Sequence, residues 1–160
     1  MNNPRPPFNL KNLPSWLLVG LVWLISRLPL RAIRAIGAFF GVILWALARQ
    51  RRFVALTNLR LCFPDMPDDA RKKLVFRHCI RFAQAVLDRS LMWFASEKRI
   101  RRIVRMHNEE RLASKDGRPT LVLAPHFVGL DATGTRGSMI GPWISMYAKQ
   151  KNPVLNYMLL

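Results

Sequence analysis

The chain has 160 residues, and 51% of them are apolar, which is enough to bury the core of one domain. Its 26 Lys and Arg outnumber its 9 Asp and Glu, so the formal net charge of +17 predicts anionic partners such as a phosphorylated substrate, a bilayer surface or an acidic protein. The two cysteines, Cys62 and Cys79, are too few for a disulfide framework, and His78 beside Cys79 does not make a metal site. We therefore expect neither a metal nor a cofactor.

The basic charge is concentrated in the most apolar part of the chain. Residues 1–64 contain no Asp or Glu but hold nine Lys or Arg. Basic and apolar residues in the same segment favour a membrane surface over nucleic acid. A nucleic-acid-binding module more often interleaves its basic residues with polar and aromatic ones. We expect a membrane partner and no nucleic acid.

Two apolar runs follow a loose tail at residues 1–14. The first, Ser15–Ser26, is shorter than the roughly 20 residues of a bilayer span. Pro29 separates it from the second run, Ala35–Ala48, and basic residues flank both. A cleaved signal peptide is disfavoured because no cleavage site follows. A tilted span, an in-plane or hairpin anchor and two buried core helices stay open. We assign residues 1–52 to the tail and membrane-anchoring helices, and residues 53–160 to a second domain.

The next segments read as a connector followed by helices. Asn58–Pro64 is predicted to be the connector, and a helix is predicted from about Asp69 to Ala95, where acidic residues suit the first turn and apolar residues recur at helical spacing. Lys98–Arg105 is a basic cluster that fits a short amphipathic helix or strand, either solvated or docking an anionic partner. His107–Lys115 is predicted to form a short helix.

The last third of the chain favours a parallel sheet. A turn at Asp116-Gly117-Arg118-Pro119 precedes the continuous apolar run Thr120–Ala124, which is typical of a strand buried on both faces. Ile144–Tyr147 is predicted to be a second strand, and a helical segment lies between the two. These elements predict a βαβ unit with a right-handed crossover. The predicted fold class is α/β, with apolar membrane-associated helices at the N-terminus.

A histidine and an aspartate stand where the first predicted strand ends. If the chain turns after Pro125 and a helix begins near Asp131, His126 can meet that carboxylate. A carboxylate that orients an imidazole favours general base catalysis at neutral pH. The motif contains no serine or cysteine, so the base would activate a substrate hydroxyl that attacks an activated acyl group. Gly129 would admit the substrate closely, and Arg136 or helical N–H groups could stabilise an oxyanion or bind phosphate.

The segment APHFVGLD resembles the H-x4-D/E motif of the late acyltransferases of lipid A biosynthesis, the lauroyl/myristoyl transferases of Gram-negative bacteria. The resemblance also covers ARQRRFVALTNLRLCFPDMPDDARKKL, EERLASKDGRPTLVLAPHFVGLD and SMYAKQKNPVLN. It implies an enzyme at the cytoplasmic face of the bacterial inner membrane, with a glycerolphosphate-acyltransferase-like sheet. Such an enzyme transfers a fatty acyl chain from acyl carrier protein to a hydroxyl of an anionic, Kdo-bearing lipid A precursor. The resemblance makes His126 the general base and Asp131 its partner.

The family's chains are considerably longer than this one. We therefore expect residues 53–160 to form only the N-terminal half of the acyltransferase catalytic domain, with an incomplete sheet, and the chain to have weak or no activity of its own. Lys149 and Asn152 are expected to face the anionic headgroup of the substrate. Two other hypotheses stay open: a related membrane acyltransferase with another lipid acceptor, and a non-catalytic basic protein that binds membranes.

Overall fold

The computed structural model describes residues 6–112, 121–146 and 148–159. The helices in this part of the chain are α1 (Leu13–Ser26), α2 (Leu30–Leu47), α3 (Arg49–Cys62), α4 (Asp68–Phe94), α5 (Glu97–Ile103), α6 (Leu130–Gly137) and α7 (Pro153–Leu159), with 3-10 turns at Leu10–Asn12 and Glu109–Arg111. The pair α2 and α4 forms the centre of the fold, α1, α3 and α6 pack on α4, and α7 packs on α1.

A tight turn joins α1 to α2, and both helices pack on α4. Pro29 stands at the N-cap of α2, and the residue before a proline disfavours helical geometry, so α1 ends before it. The guanidinium of Arg99, on α5, donates hydrogen bonds to the carbonyls of Ser26 and Leu28. These bonds satisfy carbonyls that the end of a helix leaves without intrahelical partners. The predicted interruption at Pro29 is confirmed.

Two glycines let α2 and α4 approach very closely. Gly37 and Gly41 are both buried and lie one turn apart on α2. A Cβ at Gly37 would stand 2.8 Å from the Cα of Gln84, and one at Gly41 would overlap the Cα of Ile80. Only a residue without a side chain fits at this distance. We call the contact of Gly37 and Gly41 with Ile80 and Gln84 the glycine seam.

Polar contacts extend the glycine seam toward the start of α2. The side-chain amide of Gln84 donates to the Arg34 carbonyl at 3.0 Å. The guanidinium of Arg34 pairs with Asp88 of α4, also at 3.0 Å. Burial raises the pKa of the Asp88 carboxyl, and the nearby Arg34 charge offsets only part of that effect. The ion pair therefore fixes the register of the two helices while leaving a carboxylate in an unfavourable environment.

The middle of the chain is more helical than predicted. The predicted helix from Asp69 to Ala95 is confirmed as α4, but the connector prediction is wrong for residues 58–62, which belong to α3. The turn that follows is held by the buried Arg71, which donates to the carbonyls of Phe63 and Pro64 at 2.9 and 2.7 Å. The boundary drawn between residues 52 and 53 falls inside α3.

The predicted α/β fold class is wrong. None of the described residues lies in a β-strand, so no βαβ unit forms from them. Residues 121–127 belong to neither a helix nor a strand, no strand among the described residues pairs with them, and Leu121 and Leu123 are 99% and 94% exposed. A strand exists only where its backbone groups pair with another strand, which an apolar run alone cannot guarantee. Residues 144–146 are likewise non-helical, unpaired and exposed, and positions 116–120 and 147 lie outside the described residues.

Of the two elements predicted around the basic cluster, one is a helix and the other is, where described, only a 3-10 turn. Residues 98–103 lie in α5, so the cluster is helical rather than extended, and Ile100 is its buried residue. The predicted helix over residues 107–115 is limited, in its described part, to the 3-10 turn Glu109–Arg111. The remainder of that prediction, residues 113–115, lies outside the described residues.

Both α1 and α2 expose many apolar side chains. On α2 Phe39 and Ile43 lie on the side opposite the glycine seam. The exposed side chains are Phe39, Phe40, Ile43 and Leu47 on α2 and Leu17, Leu18, Leu21, Trp23 and Leu24 on α1. By length and composition α2 could cross a membrane, although core helices of soluble proteins and signal sequences share those properties. Exposed apolar side chains in this number indicate an interaction surface.

Candidate active site

His126 lies in the exposed loop that leads into α6. The loop is folded by local hydrogen bonds, from Phe127 N–H to the Pro125 carbonyl at 2.8 Å and from Leu130 N–H to the Phe127 carbonyl at 3.0 Å. Gly129 is the N-cap residue of α6, and its carbonyl accepts the first bond of the helix, from Thr133 N–H, at 3.1 Å. The predicted helix start near Asp131 is confirmed. The loop leaves the imidazole of His126 open to solvent.

The carboxylate of Asp131 pairs with Arg89. The Oδ2 atom accepts from the Nε of Arg89 on α4 at 2.5 Å, and both side chains are about half exposed. Within the described residues no hydrogen bond or ion pair joins Asp131 to His126. The Asp131 Oδ1 atom remains as a second acceptor, because a carboxylate can accept at both oxygens. The predicted pairing of His126 with Asp131 stays a prediction.

Arg136 is buried beneath the end of α6 rather than open to a substrate. Its exposure is 6%, and its Nη2 donates to Glu109 at 2.5 Å. Its Nε and Nη1 atoms are buried without a hydrogen-bond partner among the described residues. Leaving a buried donor unsatisfied costs about 1–3 kcal/mol. The ion pair links the 3-10 turn to α6 and so supports the helix that carries Asp131.

The remaining predicted site residues lie at α7. Lys149 is exposed. Asn152 caps α7, because its Oδ1 accepts from the N–H groups of Val154 and Leu155 at 2.9 and 3.1 Å. Its Nδ2 donates to the hydroxyl of Ser15 on α1 at 2.9 Å. Both ends of the Asn152 amide therefore hold α7 against α1.

Two residues of the site escaped prediction. Arg89 lies 42 residues before Asp131, and Glu109 lies 27 residues before Arg136. Arg89 belongs to no motif. Glu109 begins the segment EERLASKDGRPTLVLAPHFVGLD, but nothing in that segment predicts its pairing with Arg136, because a long-range ion pair leaves no periodic signal in a sequence. Over the described ranges, no group of three or more His, Cys, Asp or Glu side chains is placed to hold a metal ion. The described groups are the exposed imidazole of His126 and, with no hydrogen bond to it, the ion pair of Asp131 with Arg89.

Comparison with known families identifies the class of the protein. The model of the family described as bacterial lipid A biosynthesis acyltransferase matches residues 9–160. The chain belongs to this family. It is 26% identical over 146 residues to a lipid A biosynthesis lauroyltransferase of Escherichia coli K12, covering 90% of this chain and 48% of the relative.

Other relatives carry related names. A lipid A biosynthesis palmitoleoyltransferase of Escherichia coli K12 is 23% identical over 145 residues, covering 89% of this chain and 47% of the relative. A lipid A biosynthesis acyltransferase of Haemophilus influenzae is 28% identical over 145 residues with the same two coverages, 89% and 47%. The chain thus spans about half the length of the curated relatives it matches. No solved structure matches the chain significantly.

Proposed function

We propose that the protein is an acyltransferase that moves a fatty acyl chain from acyl carrier protein to a hydroxyl of a Kdo-bearing lipid A precursor. The observation that carries the proposal is the family match over residues 9–160, which includes His126 and Asp131. Relatives named lauroyltransferase and palmitoleoyltransferase support a fatty acyl group as the transferred unit. The net charge of +17 suits an acidic donor protein and an anionic acceptor lipid.

His126 is the proposed general base. Its imidazole removes the proton of the acceptor hydroxyl while the oxygen attacks the carbonyl carbon of the acyl thioester. The tetrahedral intermediate then breaks its carbon–sulfur bond, and the imidazolium returns the proton to the leaving thiolate. A new ester and a free thiol result, so the step needs no cofactor. The exposed position of His126 supports this role, because both substrates must reach the ring.

Asp131 is the proposed partner of the imidazole, and Arg89 supports it. With Oδ2 bound to Arg89, the carboxylate can accept the ring N–H of His126 at Oδ1. Such a bond fixes the tautomer and stabilises the imidazolium that forms during transfer. The exposed loop around His126 must bring the ring to this oxygen when substrate binds. Catalytic hydrogen bonds often tighten only in the substrate complex.

The other predicted residues have proposed roles of two kinds. Gly129 and Lys149 are exposed, so we propose that both contact the substrate directly. At Gly129 the backbone approaches the substrate closely, and the Lys149 ammonium pairs with the anionic headgroup of the substrate. Arg136 and Asn152 are held by protein partners, so we propose that they serve binding by fixing α6 and α7. The exposed apolar side chains of α1 and α2 support a membrane location. We propose the cytoplasmic face of the bacterial inner membrane, the location that the family resemblance implies.

Mass spectrometry of lipid A from cells with and without the gene tests the proposal. Loss of a single secondary acyl chain, restored by the intact gene but not by its His126→Ala version, is the expected result. An unchanged lipid A, with a change in another acylated lipid, would instead indicate a different acceptor. If His126→Ala restores the function as well as the intact gene does, the protein acts without this base, as a non-catalytic membrane-binding protein would.

A further inference from the structure

One side of α2 exposes apolar side chains and carries no charge. Residues 32–48 contain a single charged residue, Arg34, and it is held by Asp88 of α4. Four exposed side chains fall within about 100° of the helix circumference, because successive residues are separated by about 100°. We call these four side chains the α2 outer face: Phe39, Phe40, Ile43 and Leu47.

Tryptophan–arginine pairs stand at both ends of α2. Before the helix, the guanidinium of Arg27 lies 4.5 Å from the ring centroid of Trp23. At its far end, the guanidinium of Arg52 lies 4.9 Å from the ring centroid of Trp45. Such side chains favour the boundary between lipid and water, where the ring meets acyl chains and the charge stays hydrated. Both ends of α2 therefore suit the headgroup region of a bilayer.

The charge around the α2 outer face favours an anionic lipid surface as its occupant. Arg31 near the start of α2 and Arg49 and Arg51 at the start of α3 are exposed, and residues 1–64 contain no Asp or Glu. A second copy docked through the same face would bring these like charges together. A soluble acidic protein would need a large exposed apolar patch of its own, which soluble proteins rarely carry. An anionic bilayer supplies both acyl chains and phosphates.

The orientation of α2 in that bilayer follows from its contact with α4. The 18 residues of α2 are about 27 Å long, close to the thickness of the hydrocarbon core. Contacts with α4 extend from the ion pair of Arg34 with Asp88 to the rings of Trp45 and Phe76, whose centroids are 5.4 Å apart. Residues 76–88 of α4 therefore lie beside α2 over most of its length.

This part of α4 does not suit hydrocarbon. It exposes Arg77, His78 and Arg81. If α2 crossed the bilayer, these side chains would lie at the depth of the acyl chains, where arginine is rare because it loses its hydration. If α2 lies parallel to the surface with its outer face toward the lipid, α4 stays on the water side.

We propose that α2 lies in the plane of an anionic bilayer surface and does not cross the bilayer. The α2 outer face enters the acyl chains, and the arginines at both ends of the helix bind lipid phosphates. The proposal rests on the membrane location within the proposed function and specifies how α2 contacts the lipid. Asp88 binds Arg34 of α2, and the next residue, Arg89, binds Asp131. An in-plane α2 thus holds the candidate active site near the surface in which a lipid acceptor resides.

Fluorescence quenching measures the depth of α2 in vesicles of phosphatidylethanolamine and phosphatidylglycerol. The full-length protein carries Cys62→Ser, which leaves the buried Cys79 as the native thiol of the described residues. An NBD probe is attached to Ala35→Cys, Phe39→Cys or Ala46→Cys, which lie within about 40° of one another and span about 16 Å along the axis. Lipids with a nitroxide at carbon 5 or carbon 12 of the acyl chain quench shallow or deep probes.

An in-plane helix places the three probes at one depth. We expect the carbon-5 lipid to quench all three more strongly, with shallow-to-deep ratios within about twofold of one another. A probe at residue 39 quenched mainly by the carbon-12 lipid, with residue 46 quenched mainly by the carbon-5 lipid, would show a spanning helix and overturn the proposal. Absence of lipid quenching at all three positions in vesicle-bound protein would also overturn it, because another segment or a second copy would then cover the face.

Binding to the same vesicles gives a second readout with a matched control. Phe39→Glu with Ile43→Glu should weaken the Kd at least about tenfold. Phe82→Glu with Val86→Glu, an equal change of charge at exposed apolar residues on the side of α4 away from the glycine seam, should stay within about twofold. Equal losses in the two variants, with unchanged circular dichroism spectra, would overturn the proposal.

The arginines test the preference for anionic lipid. Arg49→Gln with Arg51→Gln should weaken binding to phosphatidylglycerol vesicles by about fivefold per arginine and leave binding to phosphatidylcholine vesicles unchanged. An equal loss on both vesicles would contradict the role of lipid phosphates. Depth and binding are measured without donor or acceptor, so absent acyl transfer would refute the proposed function alone. An active protein with no probe in the lipid would refute the in-plane helix alone.

Discussion

Replacing Gly41 with alanine should weaken the packing of α2 on α4. The added Cβ would meet the Cα and N of Ile80 and the carbonyl oxygen of Cys79, all backbone atoms. Backbone cannot rotate away, so the helices must separate, and overpacking of this kind costs about 1–3 kcal/mol. Alanine returns up to about 1 kcal/mol of helix propensity. The net loss in free energy of unfolding is then about 1–2 kcal/mol.

Two other glycine replacements turn this estimate into an ordered series. In Gly37→Ala the added Cβ meets the Cα of Gln84 at 2.8 Å and the flexible Gln84 side chain at 3.0 Å. The loss in free energy of unfolding should therefore be smaller than that of Gly41→Ala. Gly20→Ala in α1 meets nothing within 4 Å and should stabilise the helix by up to about 1 kcal/mol. Far-UV circular dichroism of thermal unfolding in mild detergent measures the series. For a domain of this size, Gly41→Ala should lower Tm by about 2–8 °C. A Gly41→Ala protein as stable as Gly20→Ala would refute the close approach of the two helices.

Three further predictions concern single side chains. Arg89→Gln should lower kcat/KM by up to about 100-fold by releasing Asp131, and should move the acidic limb of the pH–rate profile to higher pH. Arg89→Lys should show smaller changes in both. A pH–rate profile that does not move in the Gln variant would show that Arg89 is not part of the site. Burial raises the pKa of Asp88 in the folded state, so its ionisation should lower the free energy of unfolding as pH rises above the unfolded pKa of about 3.9. Asp88→Asn should abolish that decline in unfolding curves measured at a series of pH values. A steeper decline in the variant would contradict the expected direction of this effect. Asn152→Ala should lower the free energy of unfolding by about 1 kcal/mol in denaturant titrations, and Ser15→Ala, which keeps the cap and removes only the bond between Asn152 and Ser15, should lose less; equal losses would assign the effect to the Ser15 bond alone.

The helices that the sequence predicted are those with strong local signals. Acidic residues after Pro67 mark the start of α4, Pro29 separates α1 from α2, and the glycine-containing turn precedes α6. The strand predictions were wrong because an apolar run indicates only that a segment favours burial, not that it pairs with another strand. Whether residues 121–124 pair as a strand depends on backbone partners elsewhere, and none stands beside them in the described part of the chain.

The site was predicted only as far as its local motif extends. His126, Gly129 and Asp131 lie within six residues, and the turn-to-helix geometry that joins them was predicted correctly. Arg89 and Glu109 reach the site through tertiary contacts that no local pattern encodes. The roles expected of Arg136 and Asn152 assumed that basic and polar side chains were free, whereas the structure commits them to partners in the protein.

Acyl transfer by purified full-length protein and its His126→Ala variant measures the central assignment most directly. With acyl carrier protein thioester as the donor and a Kdo-bearing lipid A precursor as the acceptor, removing the imidazole should reduce kcat by about 10²–10⁴-fold. Its circular dichroism spectrum and its binding to vesicles should stay unchanged, because the side chain is exposed in a loop. A variant that retains the full rate would show that this imidazole is not the base.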